Sequence, residues 1–271
     1  MNPVTFNHFF QLNSFEKEPI MPKLPLSGKK YNFFIDDNIF FFNDIYEHCH
    51  VSIFDQFYLN GLKKAHLKYG TKFTLNCFWK NSHNPSFDLS QFPDKYRSEF
   101  EDNSDWLRFA FHGYAEFPDR PYSEAYPEKM PEHYALLMND LRRIVGGKSL
   151  IAPVIMHWFR ITPENRIFMR KHGMKFFAVP EGEEITCNRD FSMYDMPVDA
   201  ILNLFKDDLR GIGERLNRRI ASGKNLICIG SHEQYAYRDY SNYIPQYFEE
   251  IDTALRVMAD NGYESVYFNE L

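Results

Sequence analysis

The stretch Tyr31-Asn32-Phe33-Phe34-Ile35-Asp36-Asp37-Asn38-Ile39 decides how this chain is read, because an aromatic and aliphatic run stops there at two adjacent carboxylates. Preceded by Ser27-Gly28 and followed by polar residues, the run has the length and composition of a buried strand. In α/β folds the loops that follow the C-terminal ends of strands carry the chemistry, which puts Asp36 and Asp37 where a site is expected. Two neighbouring carboxylates in a partly buried place repel unless a cation or a shared proton sits between them. The same residues also suit a solvated turn after the strand.

Working outward, strand-like and helix-like segments alternate. Ser52 to Tyr69 has near-helical apolar spacing, with Ser52 as cap and Gly70 as stop. Lys72 to Trp79 reads as a second strand, Leu89 to Phe100 as a helix and Trp106 to Gly113 as a third strand ending in His112. A polar loop with Glu116, Asp119, Arg120 and Tyr122 precedes a helix from Glu132 to Val145. The pattern then predicts a strand over Leu150–Trp158 carrying His157, a short helix over Pro163–His172 and a strand over Lys175–Val179. Beyond these come a strand over Thr186–Phe191, helices over Val198–Phe205 and Asp207–Ser222, and a strand from Asn225 to Gly230 that runs into Ser231-His232-Glu233. A helix over Tyr243–Asn261 and a strand over Ser265–Phe268 close the order. Strand followed by helix at least six times, with no repeat or linker, predicts one (β/α) barrel domain over 1–271, with 1–28 an extended lead-in. A doubly wound open sheet is the rival.

Composition agrees with one well-packed domain. Of 271 residues 44% are hydrophobic and 27 are Phe, enough for a large core and an aromatic cleft. A net charge of −6 gives no basic footprint for nucleic acid or acidic lipid. No apolar run is long enough to span a bilayer, and no basic segment followed by an apolar one opens the chain, so no membrane association and a cytoplasmic location are expected. Cys49, Cys77, Cys187 and Cys228 form no C-x-x-C pair and are expected as reduced thiols.

Three strand ends thus carry Asp36-Asp37, His112 and His232. One barrel mouth would bring them together, and imidazole plus carboxylate with an open position is the ligand set of a catalytic divalent site. Each histidine taken alone also suits a hydrogen-bonded structural role. These residues resemble the polysaccharide deacetylases related to chitooligosaccharide deacetylase, carbohydrate esterase family four, whose fold is a distorted (β/α)7 barrel with five short motifs. Phe34-Ile35-Asp36-Asp37-Asn38 is similar to the first motif, with Asn38 where the family usually has Gly. His112-Gly113-Tyr114-Ala115-Glu116 resembles the second, with Glu116 in the place of the second metal histidine. Phe159-Arg160-Ile161-Thr162-Pro163, followed by Gly173-Met174-Lys175-Phe176-Phe177, resembles the third, and Leu226 to His232 the fifth. For the fourth, Asp190 is the candidate.

The resemblance implies a metal-dependent hydrolase that removes an acyl group, acetyl in the first instance, from an amino sugar or related carbohydrate conjugate. It implies Asp37, His112 and Glu116 as ligands of a divalent metal, expected to be zinc. It implies Asp36 as base, oriented by Arg160, and His232 as acid beside Asp190. Arg120, Tyr122, His157 and Trp79 are the candidate substrate contacts, and His157 is also the alternative third ligand if Glu116 points elsewhere. The rival readings are a catalytically silent carbohydrate-binding barrel and a metal-dependent amide hydrolase or isomerase acting on a small molecule.

Overall fold

In the computed structural model, which describes residues 24, 26–180, 182–204 and 208–271, the opening stretch is the centre of a parallel sheet. Strand β1 (Lys30–Asn38) is buried along eight of its nine residues. A strand flanked on both edges and both faces reads as a nearly continuous apolar run rather than an alternating one. Helices α1 (Phe40–His48) and α2 (Phe57–Tyr69) lead to β2 (Phe73–Phe78), and the short α3 (Arg97–Asp102) leads to β3 (Leu107–Gly113). Then follow α4 (Met130–Val145), α5 (Pro163–Lys171), β4 (Phe176–Val179), β5 (Thr186–Asn188), β6 (Met193–Pro197) and β7 (Ala200–Ile201). Helix α6 (Leu209–Ala221), β8 (Leu226–His232), α7 (Tyr247–Asp260) and β9 (Glu264–Ser265) complete the order.

The main sheet runs β3-β2-β1-β8-β7, all parallel, with β9 also on β1, while β4, β6 and β5 form a separate small sheet. Single backbone hydrogen bonds connect the two. Ile151 N–H donates to Phe109 O at 3.0 Å, Ala178 N–H to Val154 O at 2.9 Å, Val198 N–H to Val179 O at 3.1 Å and Asp199 N–H to Cys228 O at 2.9 Å. The path β3, residues 150–155, β4, residues 198–201, β8 therefore curls back on itself, and the architecture is the distorted α/β barrel that the sequence motifs predict.

Two apolar clusters follow from the alternation along β1. Phe33 and Ile35 pack toward the helices, whereas Phe34 packs with Ile155, Phe176, Met196 and Cys228 inside the curled sheet. Burying a phenylalanine this fully contributes about 2 kcal/mol. Gly230, which pairs with Phe34 across β1 and β8, has no room for a side chain: a Cβ there would lie 2.1 Å from the Phe34 ring. Among the described residues no helix is long and apolar enough to cross a membrane.

The predicted elements over 31–113 hold, except that the helix over 52–69 is a 3₁₀ turn capped by Ser52 and then α2 after an extended Gln56, and the helix over 89–100 is two short 3₁₀ turns followed by α3. The predicted strand Leu150–Trp158 is corrected: it is extended but joins no ladder beyond one bridge to β3, and His157–Phe159 is a 3₁₀ turn. Pro153 within it withholds one N–H from any ladder. The predicted helix over 198–205 is instead β7 and a turn as far as residue 204, residue 205 lying outside the described residues. Strand β6 follows a hairpin turn that the reading of Thr186–Phe191 as one strand missed. Of the lead-in, only residues 24 and 26–28 are described.

Candidate active site

The site forms where β1 loses its register. Pairing with β2 shifts between Ile35 and Asn38, and Asp37 takes a left-handed backbone with φ 63°. A non-glycine residue there is strained by about 1 kcal/mol or more and persists only when surroundings hold it. Asn38 does part of the holding: its amide N–H groups donate to Ile35 O and Asn76 O, and its carbonyl accepts from Tyr58 Oη at 2.9 Å. Asp36 and Asp37 are consequently both directed into the barrel mouth, 1% and 6% exposed.

Three groups converge on one point. Asp37 Oδ1 lies 3.1 Å from His112 Nε2 and 3.6 Å from His157 Nδ1, and the two imidazole nitrogens are 3.2 Å apart. Each ring is oriented by its other nitrogen: His112 Nδ1 faces Ile155 O at 3.3 Å and His157 Nε2 faces Glu116 O at 2.9 Å. A carbonyl only accepts, so these contacts place the ring protons on the outer nitrogens and turn the lone pairs inward. Asp37 Oδ1 is buried and has no hydrogen-bond partner, while Oδ2 is held by Gln234 Nε2 at 2.6 Å. Phe78 packs against both rings and dries the site. Three inward lone pairs need a positive species among them, either a cation or a proton on His112.

The electrostatics point the same way. Burial pushes Asp37 up, but the imidazoles of His112, His232 and His157 reverse this and hold its carboxyl well below the usual carboxylate range. Burial pushes His157 down to about 4, so it is neutral near pH 7 as a ligand must be. Burial also opposes charge on His112, yet Asp36 and Asp37 outweigh it and raise that group, so a cation entering the site competes with a proton. Asp36 is raised, mainly by burial, although Asn76 Nδ2 donates to its Oδ1 at 2.7 Å.

His232 stands beside Asp36 in the β1–β8 register and lines the same cavity, which has a volume of about 580 Å³. Asn203 Oδ1 accepts from the His232 backbone N–H, which fixes which end of the amide is oxygen; His232 Nδ1, 3.1 Å from the same atom, must therefore be the protonated nitrogen. Nε2 is left for chemistry. The cavity rim is apolar and exposed, with Phe117, Trp158 and Leu204 each between 45% and 57% accessible. Among the described residues, four of the six non-glycine residues with left-handed backbone (Asp37, Arg120, Trp158 and Phe159) line this cavity. Such concentration of strain is a mark of functional sites.

Asp36, Asp37, His112, His157 and His232 are thus brought together. Glu116 lines the cavity but sends its carboxylate to His83 Nε2; its contribution to the triad is the carbonyl that turns His157. Arg160 also lines the cavity, exposed and without an ion pair to Asp36 among the described residues. Arg120 lines it too, pairing with Glu124 at 3.2 Å beside the Trp158 ring. Tyr122 is fully buried and accepts from Tyr114 N–H at 2.9 Å, and Trp79 stacks on Tyr114 and donates to Asp140 at 2.8 Å; neither lines the cavity. Asp190 sits exposed in the turn between β5 and β6, also outside the cavity lining. Asn203, Gln234 and Asn76 escaped the sequence reading. Gln234 lay just past a predicted strand end, but Asn76 fell within a predicted strand and Asn203 within a segment read as a helix, and amides lack the charge that drew attention to the carboxylates.

No family model and no curated protein matches the chain. Solved structures do. The esterase domain of a multidomain xylanase from the hindgut metagenome of Trinervitermes trinervoides superposes with TM-score 0.50 at 11% identity, covering 90% of this chain and 89% of that one. A family 4 acetyl xylan esterase from Clostridium thermocellum, in complex with a cobalt ion, gives 0.51 at 11% identity over 89% of each chain. A pseudoenzyme of the same family from Bacillus anthracis gives 0.51 at 11% identity over 91% of this chain and 66% of its own. The fold is therefore that of a distorted α/β barrel. More narrowly, it is the fold of the family-four polysaccharide deacetylases, which the motifs resemble.

Proposed function

We propose that this chain is a metal-dependent hydrolase that removes an acyl group, acetyl in the first instance, from an amino sugar or related carbohydrate conjugate. The observation that carries the reading is the triangle of Asp37 Oδ1, His112 Nε2 and His157 Nδ1, with edges of 3.1, 3.2 and 3.6 Å. Ligands about 2.0–2.1 Å from a tetrahedral ion are separated by roughly 3.3 Å, so these side chains would hold zinc or a similar divalent cation with one position open. Such an ion polarises an acyl carbonyl and acidifies water.

The chain's own residues supply the rest. Asp36, whose carboxyl burial raises, takes a proton from the attacking water, and Asn76 keeps that carboxyl aligned. His232, as the imidazolium with both ring nitrogens protonated, gives its Nε2 proton to the departing nitrogen while Nδ1–H stays on Asn203. Phe117, Trp158 and Leu204 exclude water from the reacting group, and Arg120 and Arg160 offer cationic contacts to polar sugar substituents. Proton donation on one side and abstraction on the other balance the amide cleavage: one water is consumed, and a carboxylic acid and an amine leave.

A catalytically silent sugar-binding barrel is the second reading. It is favoured by the neutral Asn203 as the partner of His232 and by an Arg160 that does not pair with Asp36. Incubating the zinc-loaded chain with N-acetylated and O-acetylated sugars and measuring released acetate separates the two. Acetate release that is lost in Asp36→Asn establishes the hydrolase; sugar binding without acetate release, at full metal occupancy, establishes the silent barrel.

A further inference from the structure

The last turn of α1 gathers a second set of metal-competent side chains away from the cavity. Asp44 and His48 lie one helical turn apart on the same face, and Asp44 Oδ1 is 3.1 Å from His48 Nδ1. His50 would normally continue away from the helix. Cys49, however, is a left-handed C-cap with φ 50°, and this turns the chain so that His50 Nε2 comes to 3.3 Å from Asp44 Oδ2. The His48 and His50 rings stack with centroids 5.7 Å apart, and one donor atom from each of the three residues lies within 4.8 Å of the others. Tyr96 Oη donates to the His50 carbonyl, which fixes the returning backbone.

We infer that Asp44, His48 and His50 form a second binding site for a divalent transition metal, independent of the strand-end triad and of the hydrolase reading. Two imidazoles and one carboxylate suit zinc, cobalt or nickel, with solvent completing the shell on the exposed His48 side. The helix adds to this. Its unpaired C-terminal carbonyls carry partial negative charge, which favours a cation beside the last turn. Asp44 and His50 are three-quarters covered, so part of the shell is in place before an ion arrives. His48 Nδ1 also rests 3.0 Å from Asp44 O, and the ring must turn from that carbonyl to bind.

The test is a titration of the full chain, stripped with chelator, with Zn²⁺ alone and then with Co²⁺ as a spectroscopic probe. The wild type is expected to take up one equivalent more than a His48→Gln/His50→Gln variant, and Asp37→Asn/His157→Gln is expected to keep that equivalent. Affinity for this equivalent falls at least about tenfold when either histidine is lost. Circular dichroism confirms that the variants fold. Equal uptake by wild type and the His48/His50 variant overturns the site, as does loss of all binding in the Asp37/His157 variant. Failure of the strand-end triad alone, with uptake lost only on changing His48 and His50, leaves this proposal standing.

Discussion

The two sides of the curled sheet are built differently. From β1 to β3, and again at β8, the strands pair in continuous parallel ladders that slip register only near the C-terminal ends of β1 and β2, whereas residues 150 to 204 cross the barrel with single hydrogen bonds and strands as short as two residues. The site straddles the two. Asp36, Asp37, His112 and His232 come from the regular side, and His157 and Asn203 from the irregular one. The regular side supplies rigid placement; the irregular side supplies orienting and capping groups that strand geometry could not aim.

The largest effects should come from cutting this division at its centre. Asp37→Asn is expected to abolish uptake of zinc at the triad, at least about a hundredfold in affinity, measured by metal analysis after dialysis. His157→Gln should do nearly the same, while Glu116→Gln should retain the ion because only the main-chain carbonyl of Glu116 turns His157. Equal loss in Glu116→Gln would make its carboxylate a ligand, a role the geometry gives to His157. Affinity should also decline on acidification through the raised range of His112, because proton and cation compete for Nε2, and rise again above it.

Next in size, Asp36→Asn should keep the ion and lower acetate release by about 10²–10⁴. Asn203→Ala should cost less, about tenfold in kcat with KM little changed, because the β8 ladder keeps His232 in place while its ring and its backbone N–H lose the Asn203 acceptor. Away from the chemistry, Gly230→Ala should destabilise by about 1–3 kcal/mol in denaturant unfolding, the new methyl meeting the Phe34 ring.

The smallest effect concerns Glu250 on α7, whose Oε2 is buried without a partner and whose carboxyl burial, with Glu249 beside it, pushes up to about 7. A carboxyl raised in the folded state costs nothing below its unfolded value near 4.5, and its penalty grows between there and 7. Glu250→Gln should therefore stabilise by on the order of 1 kcal/mol at pH 8 and leave stability unchanged at pH 4. A gain at pH 4 of similar size would show that packing rather than charge is responsible.

The same division explains what the sequence disclosed. On the regular side, buried parallel strands leave long apolar runs that end abruptly at Asp36-Asp37, His112 and His232, and those ends were legible. On the irregular side, Leu150 to Trp158 has strand-like composition but spends its hydrogen bonds singly, and Val198 to Leu204 imitates a helix while forming β7. Asp190 was chosen for its charge and lies in an exposed turn, and the position it was meant to fill is held by the uncharged Asn203. His157 was legible as a strand residue beside the site. Its role as the triad's third member depends on a 3₁₀ turn and on a carbonyl 41 residues earlier, which no local pattern encodes.

Glu233, next to His232, adds a consequence for how the chain is made. Its carboxylate accepts the N–H groups of Ile39, Phe40 and Phe41, capping α1 from 194 residues away at the first of them. The strand that covers one edge of β1 precedes it directly in the chain. On a ribosome, β1 and the start of α1 emerge early and must wait, with one sheet edge open and three amides unmatched, until residues 226–233 have been synthesised. The 194 residues that follow Ile39, ending with Glu233, are thus translated before β1 is sealed, which makes nascent chains that stop short of Glu233 prone to associate through that edge.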